Sequence, residues 1–177
     1  MDTELFDVIS SNTIKISRFE IIEDKLKTAD QQFYYSFIKI KPGICAIIET
    51  EKGFVVLKEY RYPIKSWTYE FAAGIIDEGE TPVEAAIREI KEETGFIADE
   101  IKELGIFYPS FGATDEMIYL FHAKCSLKAD AETEFSEFIK YEIMSEQEVE
   151  QLIRSGAFKH GAGLSAWLKY LLNIRKI

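Results

Sequence analysis

Residues 81–95 constrain the fold more than any other stretch. Thr81-Pro82-Val83-Glu84 sets a hydroxyl N-cap, a proline at the first helical position and a glutamate at the third, while Gly95 supplies a left-handed stop. A helix over 82–94 is therefore specified at both ends. Val83, Ala86, Ile87, Ile90 and the methyl of Thr94 recur at helical spacing, which predicts a stripe that packs on a sheet. The strands for such a sheet stand on both sides. Residues 13–22, 32–40, 44–50 and 53–60 are rich in β-branched and aromatic side chains, with turn signals at Lys41-Pro42-Gly43 and Glu51-Lys52-Gly53. A further strand over 67–72 leads into Ala73-Gly74, and others are expected near 101–107, 116–125 and 137–143. A second capping box at Ser145-Glu146-Gln147-Glu148 opens a short helix, and Leu164, Trp167, Leu168 and Leu171 mark a C-terminal one. Strands first and mixed elements afterwards predict an α+β chain with a mixed sheet covered by helices.

Charge and cysteine usage narrow the function classes. The formal net charge of -10 excludes a phosphate-tracking nucleic-acid binder, which needs clustered Lys and Arg. The N-terminal stretch lacks a basic region before an apolar run, and no segment approaches a membrane span, so a cytoplasmic protein without membrane contact is expected. Cys45 and Cys125 lie in apolar stretches without metal spacing and read as buried reduced thiols. His122 and His160 lack partners at ligand spacing and read as satisfied structural histidines.

The helix carries a local conflict. Glu89, Glu92 and Glu93 fall within about a third of a turn of one another, on a side away from the centre of the apolar stripe. Like charges at i,i+4 cost roughly 0.2–0.5 kcal/mol, and carboxylates near a helix C-terminus oppose the dipole by a further ~0.3–1 kcal/mol. Charge runs of this kind are usually solvated faces. A conflict inside a well-capped helix is also what a functional site looks like, and three carboxylates beside Gly74 form an oxygen cage suited to a hard divalent cation. Such a cation would reconcile an acidic chain with an anionic ligand.

Gly74, Glu80, Arg88, Glu89, Ile90, Glu92, Glu93, Gly95 and Phe96 match every fixed position of the Nudix box, G-x5-E-x7-R-E-U-x-E-E-x-G-U, so the chain resembles the Nudix hydrolases. The segments KPGICAII, VVLKEYRYPIKSWTYEFAAGIIDEGE and YPSFGATDEMIYLFHA extend the resemblance to the ADP-ribose and nucleoside-diphosphate-sugar pyrophosphatases. It departs at Phe111, where that branch usually has proline, and at Ala72-Ala73-Gly74, where Pro-Ala-Gly is common.

The resemblance implies a Nudix fold, an α/β/α sandwich with a mixed sheet over 43–177, after an antiparallel β extension over 1–42 that serves dimerisation. It implies Mg²⁺, with Mn²⁺ as the second choice, on Glu89, Glu93, Glu92 and the Ala73 carbonyl. Glu92 and Glu93 are thereby catalytic, and Glu134 or Glu137, in a loop that also holds Glu132, supplies a base or a further metal-shell carboxylate. Arg61, Glu70, Phe111 and Glu116 are placed with substrate, while Gly74, Glu80, Arg88 and Gly95 shape the box. Tyr62, Trp67, Tyr108 and Phe111 are read either as stacking surfaces or as core and interface. The implied reaction splits a nucleoside-diphosphate sugar, ADP-ribose first, into a nucleoside monophosphate and a sugar phosphate. GDP-mannose or another nucleotide sugar, an oxidised nucleoside triphosphate, or ligand sensing without turnover are the alternatives.

Overall fold

The computed structural model describes residues 5–128 and 139–175. Within these the chain forms two compact units, one of residues up to 41 together with 108–117, the other of 42–107 and 118 onward.

The first unit is an antiparallel sheet of three strands in the order β1 (Asp7–Ile16), β2 (Phe19–Lys27), β3 (Gln32–Lys39). The single strand expected over 13–22 is instead a hairpin, because Ser17 adopts φ 55° and turns the chain so that Ile16 faces Phe19. A two-residue hairpin turn needs positive φ, which the pair Ser17-Arg18 does not advertise as Asn-Gly would. Residues 108–117 close on β3, where Ile38 N–H donates to the Ala113 carbonyl at 2.9 Å and Ile40 N–H to Asp115 Oδ1 at 2.7 Å.

The second unit holds a seven-stranded sheet. Its path runs β10 (Ile139–Met144), β5 (Gly53–Arg61), β4 (Gly43–Thr50), β9 (Ile118–Lys128), β8 (Phe96–Phe107), with β6 (Ser66–Glu70) on β5 and β7 (Ala72–Ile75) on β4. β4 and β9 are parallel and the other pairings antiparallel, so the sheet is mixed. β4 is buried on both faces, as its unbroken apolar run requires. Ile44, Ala46 and Ile48 pack with Ala85, Ala86 and Ile90 of α1 (Pro82–Thr94). Cys45 and Ile47 face the other way, in one cluster with Val149 of α2 (Glu146–Arg154) and Ala166, Trp167 and Tyr170 of α3 (Gly161–Arg175). Helices thus cover both faces, the expected α/β/α sandwich. No helix among the described residues is long and apolar enough to cross a membrane.

The strand expected over 67–72 breaks at Phe71. β6 pairs with β5 up to Glu70, and β7 then changes partner to β4, bringing Ala73 opposite Cys45 and Gly74 opposite Ile44. The pairing of β6 with β5 sets Glu70 beside Arg61, and the change of partner carries Gly74 to α1. Both cysteines are buried and free, and burial pushes the Cys125 thiol up to about 11. His122 is satisfied by Glu49, 2.7 Å from its Nε2.

Candidate functional site

Both ends of α1 form as the sequence dictates. Thr81 Oγ1 accepts from Glu84 N–H at 3.3 Å, Glu84 Oε2 accepts from Thr81 N–H at 2.8 Å, and Gly95 closes the helix at φ 74°. Such a cap contributes about 1 kcal/mol. The packed face differs from the expected one. Ala85, Ala86, Ile90, Glu93 and Thr94 are buried, whereas Val83 and Ile87 are 39% and 41% exposed. The small alanines meet the sheet, which turns the helix so that Glu93 lies on the buried side rather than away from it.

Each box residue then has a defined place. Arg88 joins three carboxylates: Nε and Nη2 donate to Glu80 at 2.8 and 3.0 Å, and Nη1 donates to Glu89 Oε1 at 2.8 Å and Glu92 Oε2 at 2.9 Å. Its Nη2 also donates to the Ile75 carbonyl at 2.9 Å, tying the helix to the end of β7. Glu80 accepts Asp77 N–H at 3.0 Å, and its bonds from Arg88 and then from Asp77 hold its carboxyl below the ordinary range. Glu93 is 6% exposed and accepts Ala73 N–H at 3.3 Å. The Glu89 carboxylate rests on Gly74, where any Cβ would stand 1.9 Å from Oε1. These donors fit a hard divalent cation in kind, being carboxylates beside a strand backbone. Among the described residues, however, no three such side chains are placed to hold one metal ion together, and Glu89 and Glu92 are bonded to Arg88 instead.

A second constellation lies on β5 and β6. Arg61 grips Glu70 with Nε at 2.9 Å and Nη2 at 2.6 Å, and Nη2 also lies 2.9 Å from Glu59 Oε2. The Glu70 bonds raise the guanidinium pKa above its ordinary value. Glu59 was missed by the sequence reading, although i,i+2 spacing on a strand places it on the face of Arg61. His160 is not satisfied as expected: its Nδ1 is buried, has no hydrogen-bond partner among the described residues and lies 3.9 Å from Glu70 Oε2. The cause is long-range, since an isolated bridge between Tyr69 and Phe158 sets the residues before α3 against β6.

Glu116 and Phe111 belong to the first unit. Burial pushes the Glu116 carboxyl up, and Phe111 is 83% exposed. Tyr62, Trp67 and Tyr108 are exposed too, so none of the four aromatics enters either core. Glu132, Glu134 and Glu137 lie outside the described residues.

The NUDIX domain family model matches residues 39–167, and the chain belongs to the Nudix family. Its likeness runs to the ADP-ribose pyrophosphatase branch. It is 30% identical over 118 residues to the ADP-ribose pyrophosphatase of Bacillus subtilis (strain 168), covering 64% of each chain. It is also 38% identical over 85 residues to the methanol dehydrogenase activator of Bacillus methanolicus, covering 47% of this chain and 46% of that one. The matches thus span between about half and two thirds of these relatives' length. A crystal structure of an ADP compounds hydrolase superposes over 100% of both chains with a TM-score of 0.82 at 20% identity, a likeness of fold.

Proposed function

We propose that the chain is a Mg²⁺-dependent pyrophosphohydrolase that splits the diphosphate of a nucleoside-diphosphate sugar, ADP-ribose first, into a nucleoside monophosphate and a sugar phosphate. The observation that carries this reading is Arg88, which joins Glu80, in the loop before α1, to Glu89 and Glu92 on the helix, while Glu93 is buried against Ala73. Glu89, Glu92 and Glu93 with the Ala73 carbonyl are the residues to hold Mg²⁺, or Mn²⁺ in its place. When bound, the ion neutralises the diphosphate and lowers the pKa of a bound water.

The side chains supply the rest. Arg88 orients the carboxylates from behind, and Glu80 ties the loop at Asp77 to the helix through Arg88. Arg61, held by Glu70 and Glu59 and partly exposed, is the residue to bind phosphate oxygens, which suit the guanidinium. Glu134 or Glu137 takes the proton of the attacking water.

The test is a panel of ADP-ribose, GDP-mannose, UDP-glucose, dinucleotide polyphosphates and oxidised dGTP with Mg²⁺ or Mn²⁺, and product analysis. AMP and ribose phosphate from ADP-ribose are expected to form fastest. Preference for GDP-mannose or oxidised dGTP would replace the substrate, and binding without cleavage of any member would convert the reading to a sensing module.

Residues 1–42 are the dimerisation extension in this reading. β1 is exposed along its whole length, pairs with β2 alone among the described residues and exposes Val8, Ile14 and Ile16, which supports a symmetric homodimer. Sedimentation equilibrium is expected to return twice the mass of 20.4 kDa, and a monomer at micromolar concentration would remove the proposal.

A further inference from the structure

His160 is the residue just before α3, and its carbonyl accepts Leu164 N–H at 2.9 Å. Gly163 makes room for the ring: a Cβ there would stand 3.2 Å from Nδ1. The ring packs against the start of α3, yet Nδ1 is buried with no hydrogen-bond partner among the described residues. A buried polar atom left unpaired bears its full desolvation penalty, so a group that keeps one has a reason elsewhere. Nδ1 lies 3.9 Å from Glu70 Oε2, the oxygen that Arg61 Nη2 grips at 2.6 Å.

Arg61 commits Nε and Nη2 to Glu70, and Nη2 to Glu59 as well. A phosphate competes for the same fork of N–H groups. The Glu70 side chain is only 4% exposed, so an arginine that turned to substrate would strand a buried carboxylate, which is strongly unfavourable. A closing movement of about 1 Å brings His160 Nδ1 within hydrogen-bond distance of that oxygen.

We propose that His160 is a positioning residue that takes over Glu70 as Arg61 is drawn to the substrate's diphosphate, donating from Nδ1 to Oε2. This rests on the reading of Arg61 as a phosphate-binding residue. A neutral imidazole suffices, since its Nδ1–H tautomer is a donor. Burial holds the ring neutral by lowering its pKa; Glu70 on β6 favours the charged form, and Arg61 on β5, flanked by Glu59, opposes it. Withdrawing Arg61 therefore raises the His160 pKa.

One arm of the test needs no turnover. The chain has two histidines, so an NMR titration with Asn in place of His122 as assignment control isolates His160. Arg61→Gln, with Arg61→Lys as the milder variant, is expected to raise the His160 pKa by about one unit or more. An unmoved or lowered value in both overturns the proposal.

The second arm is kinetic, with ADP-ribose and Mg²⁺. His160→Leu, which fills the space without a donor, is expected to raise KM about tenfold with kcat within about threefold. His160→Asn, which returns an N–H near the position of Nδ1, is expected to restore KM to within about threefold of the parent. A ring that is merely packed would lower the melting temperature of His160→Leu and leave KM unmoved, which overturns this inference alone. A parent chain that turns over no nucleoside diphosphate overturns both this and the functional reading.

Discussion

Glu93→Gln is expected to lower kcat by about 10²–10⁴-fold while leaving the fold as stable as before. Glutamine has the shape of glutamate and keeps an oxygen to accept Ala73 N–H, the 3.3 Å contact that ties α1 to β7. What it loses is one negative charge in a buried position, one turn from Glu89. Like charges at that spacing repel, so removing one leaves the melting temperature unchanged or slightly raised. Solvation favours the same direction, because a 6% exposed carboxylate is costly to keep ionised and a neutral amide is less so. A group kept at that cost is kept for what its charge does. Turnover of Glu93→Gln within about threefold of the parent, with ADP-ribose under saturating Mg²⁺, would show that this carboxylate holds no catalytic ion. An unfolded variant would instead mean that the charge serves the fold.

The same residue shows how far the sequence could be read. The ends of α1 were legible because capping is local: Thr81, Pro82, Glu84 and Gly95 settle them among themselves, and both reciprocal bonds of the box are present. β4 was legible because burial on two faces leaves one continuous apolar run. The packed face of α1 was not. Periodicity counts Val83 and Ile87 as core and Glu93 as surface, but which face is buried depends on which residues let the helix approach the sheet, and alanine weighs little on a hydrophobicity scale. The side chain of greatest interest was therefore placed on the wrong side of its helix.

Partner changes were illegible for a related reason. Nothing local in Tyr69-Glu70-Phe71-Ala72 says that the chain leaves β5 for β4 at Phe71, yet that step separates the Arg61–Glu70 pair from the Ala73–Gly74 corner. His160 depends on contacts some ninety positions away in sequence, through Phe158 and Tyr69. Spacing rules that look for ligands a few residues off have no access to it. Glu59 was within reach, since alternation alone puts it beside Arg61.

Gly74→Ala is the sharper test of the arrangement, because it separates stability from geometry. Gly74 sits in β7 opposite Ile44, with a φ that L-residues adopt freely, so alanine meets no backbone strain and gains roughly 0.4–1 kcal/mol from a less flexible unfolded chain. Its methyl, however, would stand 1.9 Å from Glu89 Oε1 and 2.1 Å from Cδ. The end of a glutamate side chain can swing away cheaply, so the fold survives and the melting temperature stays within a few degrees. The carboxylate cannot stay where it is. A displacement of more than 1 Å at a group that positions the reaction costs about 10²-fold, and kcat/KM for ADP-ribose is expected to fall by at least that much. A larger side chain such as Val must displace Glu89 further and cannot recover the loss. Gly74→Ala with full turnover would mean that the Glu89 position against β7 is incidental to the chemistry, and that Glu92 and Glu93 hold the ion without it.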